Sequence, residues 1–400
     1  MLFELSVGGH YPIYIMHLVR YWHEQELPGR LDIVVSPKFI QQHSAVVDLA
    51  SVSDKSNINF IAITPEEEAS ISSRIPLISR VFRKFQEWHL LCKYAKFLKA
   101  TQCLIMFFDI YQIPLALGTK FPCSLSGIYF RPSFHYGNFA NHPSSEKERL
   151  QKWWEKFLLS VVLHHPQLRT LFCLDPFVVE HINKLSSKTK AVHLPDPVQI
   201  SDNPEFQLEK FRENLGIQPG RQVFLLFGTL TKRKGLHRLL EAIPLLSATL
   251  SDKFCLLLVG KQPSDQAAIK SQIAEIMQSQ PVQIISHYEF VPEQDVYSYF
   301  QVADVVLAIH QRHVGMSGTL VLAAAAQKPV LSSNYGLIGE IVQHHSLGLT
   351  VDSTLHSEIA KGLTQFLLNS PAQFCNSSKM KLFSEHNSAE KFASIIFRYV

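Results

Sequence analysis

The sequence contains no apolar run of the roughly 18 residues needed to carry a helix across a bilayer. Its opening stretch, MLFELSVGGHYPIY, lacks the basic start and small-residue cleavage site of a secretory leader. A cytoplasmic location is therefore expected. The six cysteines, Cys92, Cys103, Cys123, Cys173, Cys255 and Cys375, form no CxxC pair and no dense framework. Most lie in apolar runs such as TQCLIMFF and KFCLLLVG, which points to buried thiols rather than disulfides or metal ligands. There is no low-complexity tract, so the chain is expected to fold throughout. Charged residues make up only 18% and the formal net charge is +4, without a strongly basic domain or a recognised nucleic-acid module, so nucleic acid is not expected as a partner.

What is present is 400 residues with 46% apolar content, too long for one ordinary core and enough for two domains. Apolar strand candidates alternate with amphipathic helices throughout. LFELSV, LDIVVS, INFIAI, CLIMFFD, SLSGIYF and TLFCLD stand in the first half; QVFLLFG, FCLLLVG, VQIISH, VVLAIH, PVLSS and LGLTV stand in the second. Strands apolar nearly throughout are buried on both faces, which favours parallel sheets covered by helices. The expected fold class is α/β, with two Rossmann-like doubly wound domains facing across a cleft. The stretch HLPDPVQISDNPEF, residues 193–206, breaks the periodicity and supplies the join. The expected domains are 1–195, 196–385 and a C-terminal helix, 386–400, packing back towards the first. Residues 1–198 carry 21 basic and 17 acidic side chains, a mild excess that suits an anionic partner.

In doubly wound sheets ligands bind beyond the carboxyl ends of the strands. After QVFLLFG comes GTLTKRKGLHRLLEAI, where Gly228 and the cations Lys232, Arg233 and Lys234 read as a diphosphate clamp or as a solvated basic turn. GMSGT then precedes the helical run LVLAAAAQ, so the amides of Ser317, Gly318 and Thr319 form a helix start suited to an anion. In the first half, Gly9 and His10 follow the first strand. Asp109 follows CLIMFF, either as a site carboxylate or as a cap, and Arg131, His135 and Tyr136 follow SLSGIYF, at a strand's carboxyl end expected to face the cleft from the acceptor side.

The segments FGTLTKRKGLHRLLEAI, FCLLLVGK, YEFVPEQDVYSYFQVADVVLAIH and GMSGTLVLAAAAQKPVLSSNYGLIGEIVQHHSLGLTV, in that order and spacing, resemble the nucleotide-binding domain of glycosyltransferases with two Rossmann domains. This is the GT-B architecture, and the resemblance is to its large retaining family four, or group 1. It covers about half of the chain strongly; the first half resembles the family more weakly, through GGHYPIYIMHLVRYW. The resemblance implies transfer of a sugar from a nucleotide-diphosphate sugar to an acceptor hydroxyl, with retention, in carbohydrate or glycolipid biosynthesis. It implies that Gly228, Arg233 and Lys234 contact the pyrophosphate, that the amides of Met316, Ser317, Gly318 and Thr319 hold its far phosphate, and that His135 reaches the reacting sugar. Glu340 in GLIGEIV stands at a family-like position and either faces the cleft or opens a helix. The two glutamates usual in the family fall on Val314 and Leu322, with His313 beside the first as a partial substitute. A catalytically silent homologue that binds a nucleotide or glycan is therefore a second reading. No DxD pair or His/Cys cluster offers a metal site, and no cofactor is expected.

Residues 80–100, RVFRKFQEWHLLCKYAKFLKA, place Arg80, Arg83, Lys84, Lys93, Lys96 and Lys99 among Val81, Phe82, Phe85, Trp88 and Leu91. A basic aromatic helix of this kind either lies on an anionic membrane or packs in a core while its lysines extend into solvent. Peripheral membrane contact and a lipid-linked or polysaccharide acceptor are the corresponding expectations.

Overall fold

The computed structural model describes residues 1–51, 57–72, 77–139, 145–198, 200, 206–262, 265–289 and 291–400. The chain divides into two compact units. One comprises Met1–His135, Ser144–Pro197 and Ala389–Val400; the other comprises Tyr136–Pro143 and Val198–Ser388.

The first unit is built on seven strands: β1 (Leu2–Phe3), β2 (Leu31–Val35), β3 (Ile58–Ala62), β4 (Gln102–Ile105), β5 (Ser124–Tyr129), β6 (Leu168–Cys173) and β7 (Lys190–His193). They lie in the order β3-β2-β1-β4-β5-β6-β7, every pair parallel. The second unit contains β8 (Gln222–Phe227), β9 (Phe254–Val259), β10 (Gln283–His287), β11 (Val305–Ala308), β12 (Val330–Ser333) and β13 (Gly348–Val351). Their order is β10-β9-β8-β11-β12-β13, again parallel throughout. The strand order reverses between β1 and β4 in one sheet and between β8 and β11 in the other, and loops diverging from such a switch point leave a crevice. All residues of β2, β9, β11 and β12 are buried, as strands covered on both faces require.

β7 was not among the sequence candidates. KAVH is short and half polar, as an edge strand can be, so its periodicity merges into the adjoining turn. Residues 199 and 201–205 of the expected join lie outside the described residues. Helix Ala389–Tyr399 packs within the first unit, with Phe392 against Tyr14 (ring centroids 4.8 Å) and Phe397 stacked on Tyr21 (5.9 Å).

Helix Leu77–Phe97 departs from the membrane-facing expectation. Trp88, Leu91 and Tyr94 are buried in the core of the first unit. Arg83 pairs with Glu87 at 2.8 Å and Lys93 pairs with Glu67. The middle of this helix packs on the core while Phe82 and Phe97 stay exposed, and the side chains of Arg80 and Val81 lie outside the description.

Candidate functional site at the switch point of the second sheet

Gly228 directly follows β8, and Lys232–Lys234 then forms one tight turn. Gly235 ends that turn in the left-handed region (φ 83°), where an added Cβ would stand 2.2 Å from the carbonyl oxygen of Ile309. Only glycine allows so close an approach to the end of β11. The Gln311 amide also donates to the Arg233 carbonyl at 2.8 Å, so the two loops flanking the switch point are fastened together.

The fastening turns Lys234 inward. It is 8% exposed, its Nζ donates to Thr319 Oγ1 at 3.4 Å, and a Cβ on Gly228 would stand 3.6 Å from Nζ. Burial, aided by the neighbouring Arg233 charge, lowers its pKa to about 8. Arg233 remains exposed, with Nη1 2.8 Å from His313 Nδ1. A guanidinium only donates, so Nδ1 is the acceptor and the ring proton sits on Nε2, which faces the Met316 carbonyl at 3.3 Å. His310 is buried, its ring centroid 5.2 Å from that of His313, and burial together with the Lys234 charge holds it well below its usual pKa. It is neutral, so the site's positive charge resides on Lys234 and Arg233.

The helix Gly318–Ala325 begins opposite these cations. Ser317 occupies its N-cap without a capping side-chain bond, and the first amide with a backbone acceptor is that of Leu320, onto Ser317 at 3.0 Å. Among the described residues, the amides of Met316, Ser317, Gly318 and Thr319 have no protein acceptor, the condition under which a helix start binds an anion. Gly315 differs: its amide donates to the Tyr136 hydroxyl at 3.2 Å. Tyr136 is fully buried in the second unit, its ring so close to Gly336 that a Cβ there would lie 2.8 Å away. Its expected place on the acceptor side is corrected: it supports the loop that leads into the helix start at 316–319.

Gly228, Arg233, Lys234, His313 and residues 316–319 thus follow the carboxyl ends of β8 and β11. Glu340 stands in the second turn of helix Gly336–His344, half-buried and without a hydrogen bond or ion pair among the described residues. Val314 and Leu322 are half-buried and contribute no polar group. His310 and Gly235 were missed as determinants. His310 closes the candidate strand VVLAIH, so the rule of inspecting strand ends could have found it.

The candidates of the first unit are more dispersed. Asp109 accepts from the amides of Phe130 (2.9 Å) and Arg131 (3.0 Å), fastening the end of β5 to the turn after β4. Burial raises its pKa to about 6 despite those bonds. Arg131 is exposed over the Phe107 ring at 5.7 Å. Gly9 and His10 are exposed before helix Tyr11–Glu24. Glu4, immediately after β1, was not singled out, yet burial raises its carboxyl to about 7.

His135 is placed against expectation. It is buried, with Nε2 3.0 Å from Asp175 Oδ2 and the ring centroid 5.7 Å from that of His181. A ring enclosed in this way has no open face for a sugar, so its assignment as a catalytic group is corrected to a buried pair with Asp175. His135→Ala should destabilise the protein by about 1–3 kcal/mol, by leaving the Asp175 carboxylate short of a partner, while leaving nucleotide affinity unchanged. Urea unfolding and nucleotide titration of the same variant check this.

Residues 207–380 match the family model for glycosyl transferases group 1. The protein YtcC of Bacillus subtilis (strain 168) is 25% identical over 234 residues, covering 54% of this chain and 56% of YtcC. The chain matches about half the length of the relatives found by sequence. Among solved structures, sucrose-phosphate synthase from Thermosynechococcus elongatus aligns with a TM-score of 0.68 at 14% identity, over 99% of this chain and 96% of that one. The Anabaena protein HepE in complex with UDP aligns with a TM-score of 0.65 at 13% identity, over 99% and 98%. The likeness to these structures shows that the chain shares their two-domain fold, and its residues 207–380 are similar to the group 1 glycosyl transferases.

Proposed function

We propose that this protein transfers a glycosyl group from a nucleoside-diphosphate sugar to an acceptor hydroxyl, holding the diphosphate between Lys234, Arg233 and the helix start at 316–319. The observation that carries the reading is the buried Lys234 ammonium, whose one hydrogen bond among the described residues is a long one to a neutral hydroxyl, facing four amides without acceptors. An anion at that position would satisfy both. The same groups would stabilise charge building on the departing diphosphate as the glycosidic bond breaks, which allows transfer without a metal. HepE has been captured with UDP and with UDP-glucose, which makes uridine nucleotides the first to test. Retention of configuration would follow from the family's chemistry. A second reading, a nucleotide-binding homologue without turnover, is favoured by Val314 and Leu322 at the usual glutamate positions.

Calorimetric titration with UDP, GDP and ADP tests the site, and turnover of the matching sugar nucleotide separates the two readings. One nucleotide should bind selectively; failure of all three to bind would overturn the proposal. The pH dependence has a definite sign. An anion binds the protonated lysine, so its bound pKa lies above the free value of about 8. Affinity should be level below that pH and fall as pH rises through it.

A further inference from the structure

The helix Glu146–Val162 presents an outward face that the nucleotide site does not use. Its start is fixed locally by a capping box: the Ser145 hydroxyl accepts from the Glu148 amide at 3.3 Å, and the Glu148 carboxylate accepts from the Ser145 amide at 3.0 Å. Its rotation is fixed by the buried Leu159 and Val162 and by Glu155. The Glu155 carboxylate accepts from the Tyr129 hydroxyl (2.8 Å), the Ser133 amide (2.7 Å) and the Ser133 hydroxyl (2.5 Å).

With that face held inward, Leu150, Trp153, Trp154, Phe157 and Val161, spaced i, i+3, i+4, i+7 and i+11, are obliged to point outward. Leu150 is 60% exposed, Trp153 57%, Trp154 56% and Phe157 49%. The rings pack on one another: Trp153 and Phe157 stack at 5.7 Å, and Trp153 meets Trp154 edge-on at 5.3 Å. A contiguous aromatic stripe of this size in water marks an interaction surface.

The groups beside the stripe indicate the partner. Lys147, Arg149 and Lys156 are exposed along it. Of the three acids on the helix, Glu155 is turned inward, Glu148 is held in the cap and Glu146 lies 4.0 Å from Arg149. Tryptophan and phenylalanine at the centre with cations at the rim match the layering of a bilayer surface, with apolar chains beneath anionic headgroups.

We propose that this face docks on an anionic lipid bilayer, with the helix lying in the plane of the headgroups.

Flotation of the full chain with vesicles of phosphatidylcholine and phosphatidylglycerol, compared with phosphatidylcholine alone, tests the proposal. The wild type should float with the mixed vesicles and less with the neutral ones. The combined variant Trp153→Ser, Trp154→Ser, Phe157→Ser should lower partition by about tenfold or more, with unchanged circular dichroism because no core side chain is altered. Should that variant misfold, Lys147→Gln, Arg149→Gln, Lys156→Gln decides the matter, since it should remove the preference for mixed vesicles while keeping the aromatic stripe. Wild type that floats with neither vesicle overturns the proposal. So does a charge variant whose preference is undiminished, or concentration-dependent self-association abolished by the aromatic variant without any vesicle binding. The last result would assign the face to a second copy of the chain.

Discussion

Lys234→Met is expected to yield a protein that is more stable than the wild type and that binds nucleotide more weakly. In the unliganded fold the lysine is 8% exposed, and burial lowers its pKa from 10.5 to about 8. A shift of that size corresponds to a cost on the order of 3 kcal/mol for keeping the charge in the folded state. The sign follows from proton counting. Between the folded value of about 8 and the unfolded value of 10.5, the unfolded chain binds more protons, so wild-type stability rises with pH across that window. Below about pH 8 the cost is fully present. Methionine has similar length and no charge, so the variant should gain about 3 kcal/mol near neutral pH and lose the slope through the window. Urea denaturation on either side of that window measures both. Nucleotide affinity should fall by roughly ten- to a hundredfold with loss of the charged hydrogen bond. A variant that is no more stable, or one that binds nucleotide as well as the wild type, would show that Lys234 is not the unsatisfied cation of the site.

Tyr136→Ala should have the largest structural effect. The side chain is fully buried in the second unit, so truncation leaves a cavity costing about 3–5 kcal/mol, and it frees the Gly315 amide. Gly315 lies directly before the amides of 316–319, so nucleotide affinity should fall as well, through loss of order in that loop rather than loss of a ligand contact. Tyr136→Phe isolates the hydrogen bond. It should cost about 1–3 kcal/mol, the penalty for an unpaired buried amide, and keep the ring against Gly336. Denaturation midpoints rank the variants. Equal loss of affinity in both would assign the effect to the hydroxyl, and loss only in the alanine variant would assign it to packing.

These two residues differ in how far the sequence revealed them. Lys234 was legible as a candidate because the turn that carries it is local: a strand, a glycine and a run of cations, within a segment whose spacing resembles a known family. Tyr136 was read as part of the acceptor side because it follows β5 in the chain. Its assignment to the second unit depends on long-range contacts with Gly315 and Gly336, which no local pattern encodes. His135 failed for a related reason, since neighbours in sequence do not reveal a burial partner forty residues away, Asp175.

The two aromatic helices make the same point. Both Leu77–Phe97 and Glu146–Val162 mix basic with apolar residues, and composition favoured the first as the surface helix. Periodicity gives each helix an apolar stripe but does not say whether a sheet covers it, and Glu155 turns the second helix's stripe outward through bonds made across 22 to 26 residues.

The sequence by itself determined the two parallel sheets, since all but the edge strand β7 appear among its strand candidates, and it determined the cationic turn and the helix start at Gly318. Those features arise from side-chain periodicity and from hydrogen bonds within a few residues. Only the tertiary structure decided that Lys234 is buried with one long hydrogen bond among the described residues, that Tyr136 supports the Gly315 loop, that His135 is enclosed and that Trp153 and Trp154 are exposed. Each of these depends on which distant surface covers a side chain, and burial, unlike propensity, is a property of the packed whole.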